Sequence, residues 1–136
     1  MSTPPLHPHE RAHFARHGYV ILRELLDPET EEALGSAVRQ DLGGARSLKG
    51  YTGQFRSLTY TLDHSGALLE GLCENAAFAA TLADIVDDKP VFTQGVAFAL
   101  QPDARPGLGW HFGISSFCFT EPDALAFSLW MPFTPI

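Results

Sequence analysis

The apolar positions in the first ninety residues recur mostly with the period of an α-helix. One helix is predicted to follow Asp27, whose side chain suits an N-cap, and to end at Gly43. Its apolar stripe consists of Leu34, Val38 and Leu42, each four residues after the last. Three further helices are predicted over residues 10–17, 66–73 and 76–86, the first ending at Gly18 and the last capped by Asn75.

Runs rich in β-favouring residues are fewer and are concentrated in the last third of the chain. Before that point, Tyr19 to Leu22 is predicted to form a buried strand. Residues 45–64 lack clear periodicity and are predicted to be an ordered loop with a short strand near residues 56–62. The later strands are predicted over residues 92–101, from Trp110 onward and over residues 124–133.

This order of elements predicts an α+β fold in a single domain over residues 1–136. Its first part, residues 1–90, is mainly helical, and residues 91–136 contribute the first strands of a sheet. The 12 glycines and 10 prolines argue against an all-helical bundle, because both residues interrupt helices. A chain of this length can still bury a hydrophobic core.

The charge and cysteine content exclude several classes of function. The formal charge is −7, with 9 Lys and Arg against 16 Asp and Glu, so the cationic surface that nucleic acid or an anionic membrane requires is not expected. Two cysteines, Cys73 and Cys118, are too few for a disulfide framework or a thiolate zinc site, and a cytoplasmic location is the simplest expectation. Neither a signal peptide nor a membrane-spanning segment is expected.

The clearest candidate chemistry lies between Gly109 and Gly113, where a predicted strand begins after a loop with two prolines and two glycines. Trp110 and His111 are adjacent there. An imidazole fixed in a mostly apolar pocket can serve as a metal ligand. Considered without its neighbours, a single histidine in a β region is more often a hydrogen-bonded residue of the core or rim. Both interpretations stay open at this point.

Four features, taken in chain order, resemble the phytanoyl-CoA dioxygenase-like family of iron(II)/2-oxoglutarate oxygenases. They are the segment HGYVILRELLDPETEEAL, the helical middle, a strand that ends before a Gly/Pro loop, and a Trp-His motif followed by SLWMPFTPI. The resemblance implies a double-stranded β-helix, or jelly-roll, core with the helical half packed against it. It also implies a dioxygenase that consumes 2-oxoglutarate and O₂ and hydroxylates a small-molecule metabolite or natural product.

The resemblance also implies roles for individual residues. Iron in that family is held by two histidines and one carboxylate, which leaves open positions for 2-oxoglutarate and O₂. His111 matches the first of those histidines. Gln101 lies where the family often carries a polar side chain for 2-oxoglutarate, and Trp110 would form a wall of the same pocket.

Gly113 departs from the family pattern, because it stands two residues after the histidine, where the carboxylate ligand is usual. Halogenases that resemble this family carry Gly or Ala at that position, which leaves a coordination position for a halide. Halogenation is therefore an alternative to hydroxylation. The same glycine is also expected in a homologue that no longer binds iron, and Glu121 or Asp123 could instead supply a carboxylate.

The second histidine and the basic residue that anchors 2-oxoglutarate are absent from this sequence, since no histidine follows His111. One histidine cannot form a complete facial site by itself. The chain is therefore expected to be a fragment of a longer enzyme or to be completed by a second chain. The third alternative is a non-catalytic jelly-roll remnant that acts as a binding or assembly partner.

Two other groups of residues are weaker candidates. Arg56 and Tyr60 lie in the irregular segment and are candidate substrate contacts, because a guanidinium can pair with a substrate carboxylate; a plain surface arginine is an equal alternative. His13 and His17 are four residues apart on a predicted helix, so they face the same way. Without a third ligand nearby, the sequence favours two surface histidines over a metal site.

Overall fold

A computed structural model describes residues 6–44, 55–100 and 126–134 of the chain. These residues form four α-helices and one antiparallel pair of β-strands, which confirms the predicted mixture of helix and sheet. The jelly-roll core stays a prediction. The elements are α1 (Pro8–His17), α2 (Pro28–Gly43), β1 (Phe55–Thr59), α3 (Ser65–Glu74), α4 (Ala76–Val86) and β2 (Ala97–Leu100).

Helix α2 has the boundaries that its end residues predict. The Asp27 carboxylate accepts hydrogen bonds from the Thr30 amide at 2.9 Å and the Thr30 hydroxyl at 2.7 Å, so it caps the first turn. Pro28 occupies the first helical position, where no amide hydrogen is needed. The helix ends at Gly43, as predicted, and of its apolar stripe Leu34 is the most deeply buried.

The segment after α1 does not form the predicted strand. Gly18 ends α1 in the left-handed conformation, with φ of +76°, and its amide donates to the Phe14 carbonyl at 2.8 Å. The strand prediction for Tyr19 to Leu22 is wrong, because these residues are not in a strand and the Tyr19 and Ile21 side chains are exposed. β-Favouring side chains make a strand only where another strand is available to pair.

Asn75 is the single residue that connects helices α3 and α4. Its side-chain oxygen accepts from the amides of Ala77 and Phe78 at 3.0 and 3.1 Å, which caps the start of α4 as predicted. Its own amide donates to the carbonyls of Gly71 and Leu72 at the end of α3. Both helices therefore end and begin at the same residue, and their relative direction is fixed by it.

The hydrophobic core lies between helices α2, α3 and α4. Its buried members are Leu34, Leu72, Phe78 and Leu82. Partly buried side chains from the α1–α2 connection and from the segment 126–134 pack around them. Helix α2 also contacts both strands.

The segment 126–134 covers the core without being a strand. The strand prediction for residues 124–133 is wrong over the described part of that range, where no strand is present. Phe127, Met131 and Phe133 pack against the core, whereas the Trp130 side chain is 72% exposed. Gly35 permits this contact, since a Cβ built there would lie 3.1 Å from Phe133 Cδ1.

Helix α1 is attached to α4 by one acidic residue. The Asp84 carboxylate accepts from the Leu6 amide at 2.9 Å and forms an ion pair with the Arg11 guanidinium. Arg11 also donates to the Asp84 carbonyl at 3.1 Å. No residue within α1 is buried, so these polar contacts and the buried Leu6 side chain hold the helix in place. None of the described helices is long and apolar enough to cross a membrane.

Two strands pair in the register Phe55 with Leu100, Ser57 with Ala99, Leu58 with Phe98 and Thr59 with Ala97. The short strand predicted near residues 56–62 is thereby confirmed in part. Of the strand predicted over residues 92–101, only Ala97–Leu100 is paired among the described residues. Gly95, two residues before β2 begins, packs so closely that a Cβ would meet Leu62 Cδ1 and lie 3.0 Å from Leu69 Cδ1.

We expect Gly95→Ala to lower the free energy of unfolding by about 1 kcal/mol, because two leucine side chains must move to admit one methyl group. The matched control is Gly71→Ala in α3, where the added Cβ meets nothing within 4 Å. Alanine at that helical position should raise the free energy of unfolding by about 0.5–1 kcal/mol. Urea unfolding measures both, and effects of the same sign would contradict the packing described at Gly95.

Candidate functional site

All the residues that the sequence assigns to the iron and cofactor site lie outside the described residues. They are Gln101, Trp110, His111 and Gly113, together with the alternative carboxylates Glu121 and Asp123. Their predicted roles therefore stay predictions. The described element nearest to them in the sequence is strand β2, which ends at Leu100, directly before Gln101.

Arg56 lies at an irregularity in the strand pair. Phe55 pairs with Leu100 and Ser57 with Ala99, so Arg56 is an extra residue in β1 with no partner in the register. Such bulges bend a strand and are common beside functional sites, where they redirect a side chain. Arg56 is thus at the end of the ladder from which the chain continues to Gln101.

Tyr60 lies at the opposite end of the ladder from Arg56, directly after Thr59, which pairs with Ala97. The four residue-to-residue steps from Arg56 to Tyr60 correspond to a backbone distance of about 13 Å in a strand. The Tyr60 side chain is 55% exposed. The structure therefore does not bring the two predicted substrate contacts to one end of the sheet.

A polar cluster that the sequence analysis did not predict joins the end of α2 to the start of α3. Asp41, in the last turn of α2, has a side chain that is only 1% exposed. Its Oδ1 accepts from the His64 amide at 2.8 Å and lies 2.9 Å from His64 Nδ1. Its Oδ2 accepts from the Ser65 amide at 2.9 Å and from the Ser65 hydroxyl at 2.6 Å. One carboxylate thus caps the first turn of a neighbouring helix.

The electrostatics of Asp41 follow from its four hydrogen-bond donors. Burial by itself raises the pKa of this carboxyl, because it disfavours the charged form. The hydrogen bonds from the Ser65 hydroxyl and amide and from the His64 amide and ring outweigh burial, and the pKa of Asp41 lies well below its usual range. Asp41 is therefore ionised at neutral pH.

The cluster contains Asp, His and Ser but lacks the arrangement of a nucleophilic triad. In a triad the imidazole lies between the carboxylate and the hydroxyl and accepts the hydroxyl proton. Here the Ser65 hydroxyl donates to Asp41 itself and is fully buried, while the His64 side chain is about half exposed. The geometry supports helix capping and inter-helix attachment rather than covalent catalysis.

The sequence does carry an indication of this cluster. Leu34, Ala37 and Asp41 follow one another at intervals of three and four residues, so Asp41 continues the buried face of α2. A carboxylate on a buried face needs donors. His64 and Ser65 stand at the start of α3, where amides are free to donate.

A groove of about 600 Å³ lies between the first turns of α2 and helix α3. Leu34 and Leu72 contribute apolar surface to it, and Asp27 and Glu29 stand among its acidic and polar lining. The described residues that line this groove belong to the helical half of the chain.

Within the described ranges, no three or more His, Cys, Asp or Glu side chains are grouped so that they could hold a metal ion. Comparison with models of known protein families, with curated proteins and with solved structures finds no match to this chain. The functional assignment consequently rests on the residues of the chain and on the resemblance of their order to a known family.

We expect Asp41→Asn to lower the free energy of unfolding by about 2–3 kcal/mol at pH 7, because the amide cannot accept all four hydrogen bonds and leaves buried donors unpaired. A lowered pKa in the folded state gives stabilisation that is present above the unfolded-state pKa of about 3.9 and is lost as the pH falls toward the folded-state pKa. The difference between Asp41→Asn and the unaltered chain should therefore shrink below about pH 4.

The matched control for this prediction is Asp27→Asn. Asparagine caps a helix about as well as aspartate, and Asp27 is exposed, so this variant should unfold at nearly the same urea concentration as the unaltered chain. Urea unfolding followed by circular dichroism between pH 3 and pH 7 measures both variants. An Asp41→Asn effect that does not change with pH would contradict a role for the ionised carboxylate.

Proposed function

We propose that this chain is part of an iron(II)/2-oxoglutarate-dependent dioxygenase of the phytanoyl-CoA dioxygenase-like kind, which hydroxylates a small-molecule metabolite or natural product. The observation that carries the proposal is the order of features along the chain. An Asp27-capped helix follows the segment HGYVILRELL, and the Trp110-His111 motif follows a strand and a Gly/Pro loop.

The described elements agree with that order in three respects. Helix α1 is followed by a helix that Asp27 caps and that has Pro28 at its start, although the strand predicted between the two helices is not formed. Helix α2 packs against an antiparallel strand pair, as a helical layer does on the outside of a sheet. Strand β2 directly precedes Gln101 in the sequence, and the Trp110-His111 motif follows later in the chain.

The donor set of this chain does not by itself fit an iron ion held by two histidines and a carboxylate. His111 would supply one ligand, Gly113 has no side chain at the usual carboxylate position, and no histidine follows. We therefore derive no chemical step through iron. The group of this chain to which we give a substrate role is the Arg56 guanidinium, which can pair with a substrate carboxylate from the end of the ladder nearest Gln101.

The first test uses the product of the complete gene, under anaerobic conditions, with Fe(II) and 2-oxoglutarate added. We expect a weak visible charge-transfer absorption band that is lost in His111→Ala, because that variant removes an iron ligand. His9→Ala, which removes an exposed histidine near the start of α1, is the control and should keep the band. An undiminished band in His111→Ala would reject the ligand assignment, and absence of the band in the unaltered protein would reject the dioxygenase proposal.

Halogenation is a second candidate, and Gly113 is the specific residue that favours it. A missing carboxylate leaves a coordination position that a halide can fill. We expect Gly113→Asp to abolish chlorination of a substrate, with hydroxylation as the remaining reaction, and chloride to alter the absorption of the iron complex only in the unaltered protein. Chlorination that persists in Gly113→Asp, measured by mass spectrometry of the products, would decide against the halogenase.

A non-catalytic jelly-roll remnant that acts as an assembly partner is the alternative from another class. Gly113 favours it, because the same glycine is expected in a homologue that no longer binds iron. The sequence of the gene beyond the codon for Ile136 separates the two classes. A continuation that encodes a second histidine and a basic residue supports the enzyme, and a stop codon supports the remnant or a two-chain assembly.

A further inference from the structure

Two histidines on α1 lie side by side on one face of the helix. His13 and His17 are one turn apart, and their ring centroids are 4.5 Å apart with the ring planes inclined by 36°. This is the i, i+4 relation by which a helix can present two imidazoles to one ion.

Neither imidazole has a competing polar partner in the described part of the chain. No hydrogen bond or ion pair is formed there by the His13 or His17 ring, in contrast to His64, whose ring is held by Asp41. Helix α1 buries none of its own residues, so the pair is not needed to fill a core. The ring nitrogens are therefore available to a ligand from solvent.

The chain after α1 supports the pair from one side. Gly18 turns the backbone through its left-handed conformation, and the Tyr19 ring then makes a T-shaped contact with the His13 ring, with centroids 4.8 Å apart and planes at 84°. The Tyr19 centroid is also 6.3 Å from that of His17. Aromatic contacts of this kind restrict the rotation of an imidazole and so lower the entropy lost when it binds.

We propose that His13 and His17 bind one divalent transition-metal ion of the class that prefers imidazole, with water in the remaining coordination positions. A metal ion lies about 2.0–2.1 Å from an imidazole nitrogen, and rings with this centroid separation can each place a nitrogen at that distance from a shared ion. Among divalent ions of the first transition row, Cu²⁺ binds such nitrogen ligands most tightly. The site is distinct from His111 and does not depend on the proposed dioxygenase activity.

The test is calorimetric titration of the full chain with Cu²⁺ at pH 7. We expect one site that His13→Gln and His17→Gln each weaken at least tenfold, since either variant removes one of two protein ligands. His9→Gln, on the same helix but outside the pair, is the matched control and should change the affinity less than twofold. Circular dichroism verifies that the variants keep their helices, which the exposure of α1 leads us to expect.

A second measurement separates the pair from unspecific binding. Thermal unfolding of the unaltered chain should shift upward with Cu²⁺, and this shift should vanish in both pair variants and persist in His9→Gln, because the ion binds the folded helix in preference to the unfolded chain. Equal loss of affinity in all three variants, or no loss in His17→Gln, would overturn the proposal.

Discussion

The Asp41 carboxylate connects the last turn of α2 to the first turn of α3, and the arrangement of the helices depends on it. Among the described residues, the core cluster between α2, α3 and α4 is small, with four buried apolar side chains. A core of that size determines the angles between the helices only weakly, because apolar packing without precise side-chain complementarity is compatible with several helix orientations. Four hydrogen bonds to one ionised group fix position and direction together. Since Asn75 joins α3 to α4 without a loop, the placement of α4 follows from the same carboxylate.

Two glycines permit close contacts where the segment 126–134 and the chain before β2 pack against the helices. Gly35 lets Phe133 contact α2, and Gly95 brings the chain before β2 against Leu62 and Leu69. At both points the missing Cβ creates the space that the partner fills. The arrangement of the helices is therefore specified by polar contacts between them, and the packing of other segments against them by glycines at the contact points.

The sequence predicts what short-range chemistry decides. Asp27, Asn75 and Gly18 act within their own helical turns, and the caps and stops that they predict are present. Strand pairing is long-range, so the β-favouring run at residues 19–22 is not a strand, whereas the less regular Phe55–Thr59 pairs with Ala97–Leu100. Asp41 was missed because its donors are 23 and 24 residues away. For the candidate site, the sequence predicts substrate contacts at Arg56 and Tyr60, and the structure has Arg56 near the start of β1 and Tyr60 directly after its end.

The attachment of α1 differs from that of the other helices and has a consequence for how the molecule opens. Asp84 receives both the Leu6 amide and the Arg11 guanidinium, while the helix itself buries no residue. Loss of those contacts exposes little apolar surface of the core. Helix α1 can therefore detach as a separate cooperative unit while α2, α3 and α4 stay folded. Amides of α1 would then exchange with solvent through partial opening, and a protease would remove the N-terminal helix before it reached the rest of the domain.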